Sequence, residues 1–262
     1  GSRPPFRSIR RSLPIRFSRR GSFRLTIWIN FLPIISLKNP GRMRQDQRLY
    51  LIADGGITDR KRLLEIVDEA ISAGIRLVQY REKLRSRRET FECARLLRTL
   101  TRERGATFIV NDYLDITMAV DADGLHIGIG DLPLPIARKI LGRDKIIGVS
   151  AHNLTEAREA EKGKADYIGL GPIFETKTKK TLPPVGIGII KAVKKEVSIP
   201  IFAISGINRT NLDIVLKAGA YGAAISSAII KAEDIGKSVK ELIDIVALYS
   251  DIRELSPGPP VN

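Results

Sequence analysis

Cysteine is nearly absent. The 262-residue chain has one, Cys93, and only two histidines, His126 and His152. A single thiol excludes an internal disulfide framework, and this sparse set of soft ligands argues against a structural zinc site. A reducing, cytoplasmic setting fits that usage. Long hydrophobic runs are also missing. The apolar stretch LTIWINFLPIISL at 25–37 has thirteen residues, short of the roughly 20 that a helix needs to span a bilayer. No membrane partner is expected. No G-x-G-x-x-G follows the first β-rich segment, which argues against a dinucleotide-binding open sheet.

Acidic residues are absent from residues 1–42, which carry nine Arg and one Lys. That segment accounts for +10 of the formal net charge of +15. The remaining 220 residues hold 34 basic and 29 acidic groups, so the folded part is only mildly basic. A nucleic-acid reading would rest almost wholly on the leader, and no nucleic-acid partner is expected of the rest. Residues 1–42 read as an upstream or vector-derived extension, a targeting peptide that would make the protein organellar, or a basic arm. Met43 is the next plausible start. The domain is expected over 43–250, with a disordered tail at 251–262.

Apolar residues make up 43% of the chain, enough for a sizeable core. From residue 49 onward, β-rich runs alternate with helical patterns. The runs lie at 49–54, 77–82, 107–112, 124–128, 146–151, 167–173, 200–205 and 222–228. Stretches such as RLLEIVDEAISAG (62–74) and FECARLLRTLTRERG (91–105) between them repeat apolar residues every three or four positions. Gly74, Gly105, Gly163 and Gly219 supply helix stops. Eight near-continuous apolar strands, each followed by a helix or helix-like connection, predict an α/β fold of the (β/α)₈ barrel type.

In such a barrel the C-terminal strand ends share one face, and polar residues gather there. The ends offer Asp54, then Gln79, Arg81, Glu82 and Lys83, then Asn111 and Asp112. Asp131, Ser150, His152, residues 175–180, Ser205-Gly206 and Ser226-Ser227 follow. Two aspartates on adjacent strands, Asp112 and Asp131, suit a hard cation such as Mg²⁺ shared with substrate phosphate. Equally, Asp112 could cap the next helix. Alternation points Gln79, Arg81 and Lys83 to one side and Tyr80 and Glu82 to the other. Three donors on one side suit a heterocycle with an anionic leaving group; a solvated, salt-bridged strand end is the other reading.

The loop TKTKK (176–180), with Thr176, Thr178 and Lys179, suits diphosphate oxygens or is a plain surface loop. Ser150 is either a phosphate donor or a cap for the helix near Leu154. Gly206 and Ile225-Ser226 stand where barrels often bind phosphate, or are turn and packing residues. His126 reads as a strand residue with structural hydrogen bonds, His152 as nearer the active face, and Cys93 as core.

Together these segments resemble the thiamine-phosphate synthase family. The carrying strings are VQYREK (78–83), FIVNDYLDITMAVDADGLHIGIGD (108–131), IGVSAH (147–152), ADYIGLGPIFETKTKK (165–180), SGI (205–207) and ISSAI (225–229). They run in order from about Leu49 to about Val246. The resemblance implies a (β/α)₈ transferase that joins 4-amino-5-hydroxymethyl-2-methylpyrimidine diphosphate to 4-methyl-5-(2-hydroxyethyl)thiazole phosphate. It implies Mg²⁺ held by Asp112 and Asp131. Gln79, Arg81, Lys83, Asn111, Ser150 and Lys179 would bind the pyrimidine diphosphate, with Arg81, Lys83, Ser150 and Lys179 acting on the reaction itself. Thr176, Thr178, Gly206, Ile225 and Ser226 would bind the thiazole phosphate.

Two positions depart from the family pattern: Ile129 often stands as Gln, and Ser205 as Gly. Oligomerisation is left open. The rival readings are a thiazole tautomerase-like isomerase and a non-catalytic ligand-binding barrel. Retention of Q-Y-R-E-K, Asn111-Asp112 and Asp131 speaks against the tautomerase.

Overall fold

A computed structural model describes residues 43–175 and 183–249. Residues 1–42, Thr176, Thr178 and Lys179, and the 251–262 tail, on which expectations were placed, lie outside the described residues. Among the described residues, no helix is long and apolar enough to cross a membrane.

Eight strands form a closed parallel barrel in sequence order. They are β1 (Leu49–Asp54), β2 (Leu77–Arg81), β3 (Thr107–Asn111), β4 (Gly124–Ile127), β5 (Ile146–Ala151), β6 (Tyr167–Leu170), β7 (Ile201–Ile204) and β8 (Gly222–Ile225). Around them run α1 (Arg60–Ser72), α2 (Arg87–Glu103), α3 (Leu114–Ala119), α4 (Leu134–Leu141), α5 (Leu154–Lys162), α6 (Gly188–Lys194), α7 (Leu212–Lys217), α8 (Ser227–Ile230) and α9 (Ile235–Ala247). The predicted barrel is the observed one.

Local chemistry explains the helix boundaries. Asp59, Asn153 and Asp234 each accept a backbone N–H from the first turn of α1, α5 and α9. Ser86 and Glu89 form a reciprocal capping box on α2, which satisfies two otherwise orphaned donors. Gly74, Gly105 and Gly219 follow α1, α2 and α7 with positive φ, the left-handed stop that glycine reaches without Cβ strain. On α1, Leu63, Ile66, Val67 and Ala70 are buried, the three- and four-residue spacing of one helix face.

Period-two alternation splits each strand between two cores. On β1, Leu49, Leu51 and Ala53 join the layer under the helices. Tyr50 faces inward, with Leu77, Ile109, Tyr167, Phe202 and Ala224. Tyr50, Tyr167 and Phe202 form a triangle of edge-to-face rings with centroids 5.4–5.7 Å apart, the geometry that aligns ring edges with π faces. This triangle closes the barrel and forms the floor of the cavity above it. Gly148 on β5 makes room for it, because a Cβ there would stand 2.0 Å from the Tyr167 ring. Below, at the strand starts, Asp123 accepts from Arg98 and from Phe108 N, and Asp166 accepts from Arg138 and from Ile147 N. These carboxylates tie helices to the barrel base, away from the polar mouth. Cys93 is buried in the core, as expected.

Candidate active site

The C-terminal strand ends surround a cavity of about 550 Å³. Gln79, Arg81 and Lys83 all line it, so strand alternation placed them as predicted. Tyr80 and Glu82 turn the other way and are buried. The register of β1 and β2 sets Asp54 opposite Arg81, and Arg81 Nη1 donates to Asp54 Oδ2 at 2.6 Å. The Asp54 side chain is only 7% exposed, so one carboxylate fixes the guanidinium and leaves its other donors for the cavity. Glu82 accepts from the backbone N–H groups of Leu84 and Arg85. That folds the chain after β2 tightly and projects Lys83 across to β3, where its ammonium pairs with Asp112 Oδ2.

Asp112 adopts φ 63°, a left-handed conformation uncommon outside glycine but reachable by aspartate. Its backbone N–H still bonds His126 O at 2.8 Å, extending the β3–β4 ladder while the side chain turns into the mouth. The capping alternative is set aside: Tyr113 occupies the N-cap of α3 and makes no side-chain cap bond. Asp131 belongs to the Gly-Ile-Gly-Asp turn after β4. Its Oδ2 accepts from Gly128 N at 2.7 Å, so the backbone of the turn orients the carboxylate. The Ile129 side chain takes no part in this and is 65% exposed. Burial raises the Asp131 carboxyl above its ordinary range, and the neighbouring Asp112 carboxyl adds to the rise; Gly128 N–H and Lys83 oppose it. Two carboxylates crowded together with one ammonium between them leave negative charge uncompensated.

Asn111 and Ser150 also line the cavity. Ser150 does not cap α5, whose cap is Asn153; its Oγ lies 3.0 Å from His126 Nε2 instead. Gly206 and Ser226 line the opposite side. Both Ser205 and Gly206 have positive φ, 74° and 70°. At Gly206 a Cβ would meet Glu175 O at 2.5 Å, so glycine is required there. Ser226 Oγ is buried with no hydrogen-bond partner, a donor that a ligand anion would satisfy. Ile225 is the exception among the predicted residues. Its side chain packs into the layer under the helices, away from the cavity, so only its backbone can serve a ligand.

Sequence reasoning missed the cavity floor. Tyr50, Tyr167 and Phe202 line it, because residues that read as ordinary strand aromatic positions face inward at the mouth; His126, expected on a strand with structural hydrogen bonds, makes them there to Tyr167 and Ser150. His152 lines the rim, with Nδ1 2.9 Å from Glu156 Oε2.

Comparison with known proteins agrees with this geometry. The model of the family described as thiamine monophosphate synthase matches residues 49–229. The chain is 46% identical over 204 residues to the thiamine-phosphate synthase of Syntrophomonas wolfei, covering 78% of this chain and 98% of that one. It is 42% identical over 213 residues to that of Methanosarcina mazei, covering 81% and 87%. The solved thiamine phosphate pyrophosphorylase of Pyrococcus furiosus superposes with a TM-score of 0.70 at 39% identity, covering 79% of this chain and 98% of that one. A match that begins at the first residue of β1, ends within α8 and includes every described side chain of the cavity mouth places this chain in one family: it belongs to the thiamine monophosphate synthases.

Proposed function

We propose that this chain forms thiamine phosphate by joining 4-amino-5-hydroxymethyl-2-methylpyrimidine diphosphate to 4-methyl-5-(2-hydroxyethyl)thiazole phosphate. Thiamine phosphate synthesis is the activity named for its relatives across nearly their whole length. The observation that carries the assignment of roles is the mouth of the barrel, where Asp112 and Asp131 sit beside Lys83 and Arg81.

The reaction breaks a carbon–oxygen bond and forms a carbon–nitrogen bond. Diphosphate leaves with the electron pair, and the thiazole nitrogen supplies the new one. No proton has to move for the bond to form, so the reaction itself calls for no general base. The barrier lies in the charge that builds on diphosphate, and positioned cations lower it most. Arg81, held by Asp54, and Lys83 face that charge; Lys179 is assigned to it by the sequence resemblance alone. Gln79, Asn111 and Ser150 hold the pyrimidine. Gly206, Ser226 and the backbone of Ile225, with Thr176 and Thr178, hold the thiazole phosphate. Fixing both substrates in one closed barrel mouth supplies much of the remaining rate.

Asp112 and Asp131 fit Mg²⁺. The ion takes oxygen ligands and is commonly held by one or two carboxylates together with substrate phosphates. Among the described residues no group of three or more potential ligands forms a complete cage, which suits an ion shared with the diphosphate. When bound, Mg²⁺ supplies charge neutralisation at the leaving group.

The test is thiamine phosphate formation from the two substrates, with and without Mg²⁺, in wild type and Asp131→Ala. Loss of product in both the metal-free and the variant reactions supports the reading. Thiazole isomerisation without condensation would replace it with the tautomerase.

A further inference from the structure

Beneath the cavity a chain of five polar side chains crosses the barrel. Gln79 Nε2 donates to Tyr50 Oη at 2.7 Å. Tyr50 Oη lies 2.7 Å from Tyr167 Oη, and Tyr167 Oη lies 3.0 Å from His126 Nδ1. His126 Nε2 lies 3.0 Å from Ser150 Oγ. The members come from β1, β2, β4, β5 and β6, and the three aromatic groups are almost fully buried. Glycines shape the space. Gly148 leaves room for Tyr167, and a Cβ at Gly169 would press on His126 Cε1 at 3.2 Å.

The hydrogen-bond direction along this chain follows from the orientation of the Gln79 amide and a count of protons. Burial holds both phenols above their ordinary range, so each keeps one proton. Tyr50 Oη already accepts from Gln79, so its own proton goes to Tyr167. Tyr167 therefore donates to His126 Nδ1. That leaves the imidazole neutral with its proton on Nε2, which donates to Ser150 Oγ. The Ser150 hydroxyl, accepting from Nε2, keeps its own proton to turn toward the cavity. With the Gln79 amide nitrogen facing Tyr50, the reverse direction would give Tyr50 two donors and strand its own proton in the barrel interior, an arrangement that buried polar groups avoid.

We propose that His126 is a positioning residue: it fixes Ser150 as a hydrogen-bond donor to the pyrimidine diphosphate, at the end of a polarised chain that begins at Gln79. This rests on the synthase reading above. The chain thus joins two side chains on opposite sides of the cavity, both assigned to the same substrate, and presets what each offers. Gln79 spends one amide proton on Tyr50 and keeps its other proton and its carbonyl for the ligand. Ser150 offers a proton. A heterocycle carrying both a donor and an acceptor edge matches that pattern.

The experiment is a double-mutant cycle on steady-state kinetics, with His126→Phe, Ser150→Ala and the double variant. His126→Phe is expected to raise KM for the pyrimidine diphosphate roughly 3- to 10-fold, the worth of one hydrogen bond, and to leave KM for the thiazole phosphate unchanged. In the Ser150→Ala background the same change is expected to cost less than about twofold. His126→Gln keeps an N–H at the Nε2 position and should recover part of the loss. Should His126→Phe fail to fold, Tyr167→Phe removes the proton that sets the imidazole tautomer and must show the same non-additivity. Equal costs in both backgrounds, with wild type still making thiamine phosphate, overturn the positioning role alone. A wild type that makes none overturns the synthase reading beneath it.

Discussion

Asp131→Asn should stabilise the metal-free protein while abolishing its synthesis of thiamine phosphate. The asparagine oxygen can still accept from Gly128 N, which Asp131 now does at 2.7 Å, so the substitution removes charge and little else. Two unit charges about 4 Å apart at an effective dielectric of 20 interact by about 4 kcal/mol. Lys83 and the open mouth of the cavity offset most of that, leaving a gain on the order of 1 kcal/mol. For a domain of this size that corresponds to roughly 2–4 °C in Tm. The pH dependence follows from the raised carboxyl of Asp131. A carboxyl raised in the folded state favours its protonated form there. Its stabilising contribution is full below the unfolded pKa and is lost as pH rises through the folded one. The gap between variant and wild type should therefore open with rising pH and vanish in acid. Thermal unfolding in a chelator, from pH 4 to pH 8, measures it. Addition of Mg²⁺ should then raise the wild-type Tm and leave the variant nearly unmoved. A variant less stable than wild type at pH 8 in chelator would refute the picture of two crowded carboxylates.

Lys83→Met should tighten Mg²⁺ binding in the absence of substrates by about two- to fivefold, since the ammonium now pairs with Asp112, while turnover falls; calorimetric titration reads the first and product formation the second. Ser205→Gly should gain about 0.5–1 kcal/mol, because φ 74° is strained for any residue with a Cβ. Denaturant unfolding measures it. Gly206→Ala should raise KM for the thiazole phosphate, as its Cβ would stand 2.5 Å from Glu175 O. Gly148→Ala drives a methyl into the Tyr167 ring, and a loss of at least about 1–3 kcal/mol is expected in the same unfolding assay.

The strands were legible because a barrel strand is covered on both faces and reads as a short apolar run. β1 and β5 coincide with their predicted runs, whereas the runs at 167–173 and 222–228 extend three residues past β6 and β8. The first extension turns off the ladder into the loop after β6, and the second passes through Ser226 straight into α8. Strand parity was enough to bring Gln79, Arg81 and Lys83 to one side. Local sequence could not choose between capping and ligand for Asp112. That depended on a left-handed backbone and on an ammonium 29 residues away. The effect of Ile129 was likewise undecidable until the turn showed Asp131 held by backbone.

The sequence by itself determined the barrel, the order of its strands and the face on which polar residues gather, because these follow from period-two and period-3.6 patterns and from parallel connection. It also determined which short strings match the synthase family. The tertiary structure alone decided what lies under the site. Tyr50 and Tyr167 are 117 residues apart, Tyr167 and His126 are 41 apart, and His126 and Ser150 are 24 apart. No local pattern links them. Closure of the barrel brings their inward faces within hydrogen-bond reach, and glycines at 148 and 169 give them the volume. What reads in sequence as scattered aromatics and one strand histidine becomes a single directed chain of protons, because only a closed ring of strands can aim five separate segments at one axis.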